Sequence, residues 1–216
     1  MQTRNLSRRD FLGTSAASGT AFALGQLARP ASARAAANET IRVGVVGPGG
    51  RGTEVMKECI EHGKEYNARV TAVCDIWNRR RDAAAARVKD AYGTAPKVYD
   101  HVEPLLEDGD VDAVIIATAD HQHAKMLKMA IEAGKHVYCE KPMGNVLEEA
   151  NAALAAVEKS DRVVQIGTQR RSYPKYREAA RLVREGAVGD VVKVDVIWNE
   201  YSPYRWAQAP EELASL

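Results

Sequence analysis

Cysteine and long apolar runs are both scarce in this chain, and each scarcity excludes a class of protein. The 216 residues include 3 cysteines, Cys59, Cys74 and Cys139, and no two of them form a CxxC pair. An odd number without a spacing pattern argues against a disulfide framework. The apolar stretch near the amino terminus, GTSAASGTAFALGQLA, falls short of the ~20 strongly apolar residues that a membrane-spanning helix needs. We therefore expect neither structural disulfides nor a membrane anchor.

A strong charge of one sign is also lacking. The formal net charge is +1, but five arginines and one aspartate lie at or before Ala35. Without that segment the chain is slightly acidic. A slightly acidic domain gives no support for a nucleic-acid partner, so we expect none.

The amino-terminal segment has the layout of an export signal. Residues 7–12, SRRDFL, match the twin-arginine pattern, a weakly apolar stretch follows, and small-residue cleavage sites of the A-x-A type come at residues 31–35. This order predicts a removable twin-arginine signal peptide over residues 1–37 and a periplasmic or extracellular protein. The alternative is a basic tail that contains an arginine pair by chance.

Strand-like and helix-like segments alternate through the next part of the chain. This alternation predicts βαβ units and therefore an α/β Rossmann-type domain, with a doubly wound parallel sheet, over residues 38–167. The predicted strands are 41–46, 69–74, 97–99, 111–118, 135–139 and 163–167. The predicted helices are 53–64, 79–92, 124–133, 147–159 and 173–185.

The pattern changes after residue 189. Val192, Val194, Val196 and Trp198 alternate with other positions, which is typical of a strand from a sheet with one exposed face. We expect residues 168–216 to begin an α+β substrate domain. One strand cannot form a domain, so the chain is expected to be truncated or to depend on something further.

A glycine-rich loop follows the first predicted strand. Residues 47–52, GPGGRG, fit G-x-G-x-x-G, and Asp75 ends the next strand. Gly47 suits a tight turn, Gly49 the close approach of a pyrophosphate, and Gly52 close packing of helix on strand. Asp75 can bond the ribose hydroxyls and would repel a 2′-phosphate, which favours NAD. The nearby Arg79 and Arg80 keep NADP possible.

Three further stretches lie where a doubly wound sheet presents its ligands: ATADHQHA (117–124), CEKPMGN (139–145) and QIGTQRRS (165–172). With the glycine-rich loop, and most specifically with Glu140-Lys141-Pro142 after a strand, the chain resembles the Gfo/Idh/MocA oxidoreductases, a family that includes glucose–fructose oxidoreductase and inositol dehydrogenase. The resemblance covers about residues 41–200. Ala119 and Gln122 depart from the proline and tryptophan that relatives with this type of signal often carry there.

The resemblance implies a role for each matching residue. The pyrophosphate would be contacted by Gly50 and Arg51, and the ribose by Asp75. The residues expected around the nicotinamide are Thr118, His121, His123, Glu140, Lys141 and Gln169. Lys141 would also reach the substrate hydroxyl as the catalytic residue, and Arg170 or Arg171 would face substrate.

Some of these residues have simpler interpretations. Lys141 could be a loop cation paired with Glu140, and Arg170 and Arg171 could be a solvated pair. His121, His123 and Cys139 could in principle bind zinc, but their spacing is poor and we expect no metal.

The leader pattern and the resemblance together imply an exported NAD(P)-dependent oxidoreductase that acts by hydride transfer on a hydroxyl of a sugar, polyol or glycoside. Its cofactor is expected to be tightly bound and recycled on the protein. A glycoside hydrolase that uses bound NAD for transient oxidation carries the same cofactor motifs, and an inactive dinucleotide-binding fragment is the third hypothesis. The family's general base, a His or an Asp–His pair of the second domain, would lie beyond Leu216. A full-length protein is expected to be a homo-oligomer.

Overall fold

The computed structural model describes residues 40–197, and their backbone alternates between strands and helices. The strands are β1 (Ile41–Val46), β2 (Ala68–Cys74), β3 (Lys97–Tyr99), β4 (Ala113–Ile116), β5 (His136–Glu140) and β6 (Val164–Gly167). The helices are α1 (Gly50–His62), α2 (Asn78–Tyr92), α3 (Val102–Glu107), α4 (His123–Glu132), α5 (Leu147–Glu158) and α6 (Pro174–Arg184). Short 3₁₀ turns cover Gly63–Tyr66 and Asp120–Gln122.

All the strands pair in parallel in one six-stranded sheet with the order β3-β2-β1-β4-β5-β6. This is the strand order of the Rossmann fold, so the predicted fold class is confirmed. The order reverses between β1 and β4, where Val46 is in register with Ile116. In such sheets ligands bind at the carboxyl ends of the strands beside this reversal.

Two apolar layers hold the helices against the sheet. On one face Met56 of α1 and Val88 of α2 pack against the strands. On the other face Leu105 of α3 and Leu127 of α4 do the same. Because β-branched residues dominate the inner strands and both faces are covered there, the centre of the sheet is dry, with Val45 and Ile116 at 0% exposure. This rigid centre fixes where each strand ends.

A cluster of ion pairs joins the amino ends of the strands. The Arg42 guanidinium donates to both carboxylate oxygens of Asp112 at 2.9 and 2.7 Å. Lys97 donates to Asp108 and Asp110 at 2.9–3.0 Å, and the buried Lys135 ammonium donates to the carbonyls of Asp108 and Val111 at 2.8 Å each. We call Arg42, Lys97, Asp108, Asp110, Asp112 and Lys135 the amino-end cluster. It lies at the opposite end of the sheet from the glycine-rich loop.

The observed elements differ from the sequence predictions at a few points. Helix α1 begins at Gly50, three residues earlier than predicted, because the loop turns directly into the helix. Helix α3 was not predicted, since six residues containing a proline carry little periodicity. Residues 191–197 form neither strand nor helix, because no partner strand for them occurs within residues 40–197. The predicted leader at residues 1–37 and the remainder of the last predicted strand lie outside the described residues.

Two predictions drawn from the composition, on disulfides and on a membrane-spanning helix, can be compared with residues 40–197. Cys59, Cys74 and Cys139 are free thiols, with Cys74 and Cys139 buried. Burial, as the largest effect, raises the pKa of each of these two thiols to about 12. Within residues 40–197 no helix has both the length and the apolar character needed to cross a membrane.

Candidate cofactor and active site

The glycine-rich loop forms a tight turn between β1 and α1. Gly47 has φ +76°, a conformation that favours glycine, and a Cβ on it would lie 2.8 Å from Thr118 Cγ2. Gly52 packs so closely under the turn that a Cβ would lie 3.0 Å from the Gly47 carbonyl carbon and closer still to its oxygen. The Thr53 hydroxyl donates to the Pro48 carbonyl at 2.8 Å and closes the loop.

The start of α1 suits an anion. Gly49 is its N-cap, and in this helix no side chain caps the first turn and no acidic residue lies in it. Uncapped amides at a helix N-terminus, with the positive end of the helix dipole, bind phosphate. A Cβ on Gly50 would have no atom within 4 Å, so the approach to this turn is open. The residues present therefore fit a dinucleotide pyrophosphate.

Asp75 follows β2 beside this loop, as predicted. Its carboxylate Oδ1 accepts a hydrogen bond from the Trp77 amide at 2.9 Å. Burial raises the pKa of Asp75, although that hydrogen bond and the charges of Arg80 and Arg81 oppose the rise. The other carboxylate oxygen can accept ribose hydroxyls.

An aromatic residue and cations border the same region. The Arg80 guanidinium lies 4.9 Å from the centre of the Trp77 ring and also lies against Gly49. Together with Pro48 and Gly50 they line a cleft of about 440 Å³. Trp77 was not predicted from the sequence, where the available signal was its position two residues after Asp75. Arg80, one of the two arginines predicted to keep NADP possible, stacks on the Trp77 ring. Whether the site also accepts NADP stays a prediction.

His123 does not line the open site, which corrects the prediction. Its side chain is 1% exposed, with Nδ1 2.7 Å from the Pro142 carbonyl oxygen and Nε2 3.1 Å from that of Thr118. The ring therefore lies behind the site and bridges the end of β4 to the turn after β5. The Thr118 side chain remains partly exposed, and its hydroxyl donates to the Met126 sulfur at 3.6 Å. His121 is exposed at the surface.

Glu140 was predicted to flank the nicotinamide. Its side chain is buried under the turn that follows β5. Its side chain is 3% exposed. Oε1 accepts from Arg51 Nε at 2.9 Å and from the Tyr138 hydroxyl at 3.1 Å, and Oε2 accepts from the Lys141 amide at 3.1 Å. Glu140 thus holds the turn from below, and the next residue, Lys141, has an exposed side chain. The Lys141–Pro142 peptide bond is cis.

Arg51 has two carboxylate partners. Besides Glu140 it donates from Nη1 to Glu54 Oε2 at 3.0 Å. Burial opposes its charge, but the hydrogen bonds to Glu54 and Glu140 outweigh it and raise the pKa of Arg51. Its predicted contact with a pyrophosphate stays a prediction.

The last group of predicted residues follows β6. Gln169, Arg170 and Arg171 are all exposed, and Arg170 has φ +70°. Arg51, Tyr138, Gln169 and Arg170 line a second, open cleft of about 900 Å³. Gln169 and Arg170 therefore share a cleft with the glycine-rich loop, whereas Arg171 is not part of its lining.

The structure gives no support to the zinc alternative. Within residues 40–197 no group of three or more His, Cys, Asp or Glu side chains could hold a metal ion. The ring nitrogens of His123 face carbonyl oxygens, and the Cys139 thiol donates to the Glu140 carbonyl at 3.6 Å.

Comparison with known proteins agrees with this geometry. Residues 41–168 match the profile of the Gfo/Idh/MocA family, described as "Oxidoreductase family, NAD-binding Rossmann fold". Inositol 2-dehydrogenase 1 of Saccharopolyspora erythraea is 37% identical over 161 residues, which are 73% of this chain and 45% of that protein. A glycosyl hydrolase family 109 protein of the same organism is 32% identical over 206 residues, 86% of this chain and 44% of its own length.

A solved structure is similar as well. Scyllo-inositol dehydrogenase from Lactobacillus casei, with bound NAD(H) and scyllo-inositol, superposes with a TM-score of 0.63 at 27% identity, over 70% of this chain and 43% of that one. The chain thus spans about half the length of the curated relatives it matches.

Proposed function

The chain belongs to the Gfo/Idh/MocA family of oxidoreductases, and from this premise we propose that it is an NAD-dependent oxidoreductase that oxidises a hydroxyl-bearing carbon of a polyol or sugar. The observation that carries the proposal is that three groups of predicted site residues meet at the carboxyl ends of the strands. There the glycine-rich loop, Asp75 and the turn of Glu140 and Lys141 follow β1, β2 and β5. Parallel strands bring these three groups to a single ligand-binding edge.

Each group has a separate task in this proposal. The amides at the start of α1 hold the pyrophosphate, and Asp75 accepts the ribose hydroxyls. When bound, NAD supplies the hydride acceptor. The substrate carbon loses a hydride and its hydroxyl loses a proton, which leaves a carbonyl. The exposed amine of Lys141 is placed to hold or pass that proton.

The substrate class rests on the relatives. The relatives include inositol 2-dehydrogenases at 31–37% identity, which supports a polyol. We assign the family's His or Asp–His base to the part of the relatives that this chain does not match. Arg170 faces the shared cleft and is the better candidate of the two arginines for a substrate contact.

A glycoside hydrolase that uses NAD within its catalytic cycle is the second candidate. The specific support is the family 109 glycosyl hydrolase, whose similarity extends over 86% of this chain, compared with 73% for the inositol dehydrogenase. The same cofactor residues would serve both reactions.

We also propose export through the twin-arginine route, on the pattern SRRDFL at residues 7–12. This route carries folded proteins, so the cofactor could travel inside the protein. Free NAD is not expected outside the cytoplasm. A retained cofactor would then be regenerated on the protein, by a second substrate or within one catalytic cycle.

One experiment separates the reactions. The full-length protein, which includes the region where the relatives carry the base, is purified and incubated with NAD and panels of polyols, sugars and glycosides, beside its Lys141→Met variant. Oxidation of a polyol or sugar, lost in the variant, is the expected result, with the hydride recovered either as NADH or in a second substrate that is reduced on the protein. Glycoside cleavage without net NADH would favour the second candidate. NAD binding without either reaction would contradict an enzymatic role and leave a dinucleotide-binding domain.

Export has its own test. The chain is expressed in a bacterium with a twin-arginine translocase, and the periplasmic fraction is compared with that of an Arg8→Lys, Arg9→Lys double variant. Equal periplasmic amounts of both proteins would contradict the proposed route.

A further inference from the structure

The carboxylate of Glu140 is a buried charge with a specific cationic neighbour. Its side chain is 3% exposed, and Arg51 Nε lies 2.9 Å from Oε1. The other two donors, the Tyr138 hydroxyl and the Lys141 amide, are neutral. Burying a carboxylate is costly unless it is both paired and hydrogen-bonded, so the ion pair with Arg51 balances the charge of this site.

The surrounding structure is built to fit this carboxylate. Glu140 and Gly167 are in register across β5 and β6. A Cβ on Gly167 would lie 2.5 Å from the Tyr138 hydroxyl and 2.9 Å from Glu140 Oε1. Position 167 therefore has to be glycine for the tyrosine and the carboxylate to meet. Burial and the Glu140 charge raise the pKa of Tyr138, which keeps its hydroxyl a donor.

The pair also joins two functional segments that are far apart in the sequence. Arg51 lies in the glycine-rich loop at the first turn of α1, and Glu140 precedes Lys141, to whose amide its Oε2 is bonded. Moving the guanidinium fully onto a pyrophosphate would leave Glu140 without its cation. Removing one partner of a buried pair is strongly unfavourable because the other charge stays buried.

We propose that Arg51 is a positioning residue, whose ion pair with Glu140 fixes the turn of Lys141 against the glycine-rich loop, and that it is not primarily a pyrophosphate ligand. The inference rests on the proposed function in taking NAD as the ligand. It assigns Tyr138 and Gly167 as the supports of the same carboxylate. Loss of Arg51 then disturbs the nicotinamide end of the site and spares the ADP-ribose end.

The test compares two nucleotides that share the pyrophosphate. Affinities for NAD and for ADP-ribose are measured by calorimetry for the wild type, Arg51→Met, Glu140→Gln and the double variant. In Arg51→Met we expect NAD affinity to fall about tenfold or more and ADP-ribose affinity to change less than about twofold. In the Glu140→Gln background, Arg51→Met should cause little further loss. Equal losses for both nucleotides would overturn the inference, since they would identify Arg51 as a phosphate ligand.

Urea unfolding of the same four proteins without nucleotide supplies an independent readout. Arg51→Met should lower the midpoint in the wild-type background much more than in the Glu140→Gln background. Equal shifts in both backgrounds would also overturn the inference. A wild-type chain that folds but binds neither nucleotide would instead contradict the proposed function.

Two control variants complete the design. Glu54→Gln removes the exposed partner of Arg51 and should leave both affinities within about twofold, because exposed ion pairs contribute little. Arg51→Lys keeps the charge and should restore most of the NAD affinity lost in Arg51→Met. Failure of Arg51→Lys to recover any affinity, with the fold intact, would contradict a role based on charge.

Discussion

A Cβ on Gly52 would collide with the carbonyl oxygen of Gly47. Replacing Gly52 by alanine should therefore force the turn open, at a cost of about 1–3 kcal/mol in the free energy of unfolding. Urea unfolding measures this cost. The matched control is Gly50→Ala, where the added methyl meets no atom within 4 Å and alanine is the better helix former. Equal destabilisation by both substitutions would show that crowding at Gly52 is not the cause.

Asp75 should make nucleotide binding depend on pH. Burial raises its pKa above the ordinary value of 3.8, and the ribose hydroxyls need its ionised form. NAD affinity should therefore fall as the pH drops through this raised pKa, at a higher pH than for an ordinary aspartate. In Asp75→Asn the affinity should be weaker, by about tenfold, and the pH dependence should disappear. Calorimetry at a series of pH values, from neutral down to the ordinary aspartate pKa of 3.8, follows this fall.

The raised pKa of Asp75 also makes the free energy of unfolding depend on pH. A raised pKa means that the protonated form is favoured in the folded state. The contribution of Asp75 to stability is full below the ordinary pKa and is lost as the pH rises through the folded value.

The binding prediction has its own contradiction. An unchanged pH profile of NAD affinity in Asp75→Asn would contradict the assignment of Asp75 to the ribose hydroxyls.

Asp108 should have the opposite effect at acid pH. Burial alone would raise its pKa, but hydrogen bonds from the Asp110 amide, Tyr99 and Lys97 outweigh burial and lower it to about 2. Its contribution is therefore present above the ordinary value of 3.8 and is lost as the pH falls towards about 2. Asp108→Asn should lose about 1–2 kcal/mol near neutral pH, after allowance for solvent screening.

The control for Asp108 is Glu132→Gln, which removes an exposed ion pair with Lys128. Chemical unfolding at several pH values should show a change within about 0.5 kcal/mol for this variant. If Asp108→Asn keeps the acid sensitivity of the wild type, another carboxylate is responsible for it.

His123 should matter for stability because its buried ring bridges the carbonyls of Thr118 and Pro142. In His123→Phe the carbonyls of Thr118 and Pro142 lose the ring nitrogens that face them, at a cost of about 1–3 kcal/mol. The exposed neighbour His121, changed to phenylalanine, should alter the free energy of unfolding by less than about 0.5 kcal/mol. Similar effects of the two substitutions would argue against a bridging role for His123.

The sequence predicted those parts of the site that depend on local spacing. The glycine-rich loop and Asp75 follow their strands at fixed intervals, and the parallel sheet followed from the alternation of strands and helices. The ion pair of Arg51 with Glu140 was not predicted, because its partners are 89 positions apart. The burial of His123 was not predicted either, since a histidine in a loop motif looks the same whether its ring faces the ligand or the core.

The amino-end cluster lies at the end of the sheet remote from the proposed chemistry. Substitutions of Arg42, Asp112 or Lys135 should change the free energy of unfolding, whereas substitutions around Lys141 should change the proposed substrate preference. Directed evolution of a new substrate preference can thus hold the first set constant and randomise the loops at the other end. Stabilising substitutions in the amino-end cluster, made before the loops are randomised, should increase the fraction of library variants that still fold, because the cluster lies away from the randomised loops.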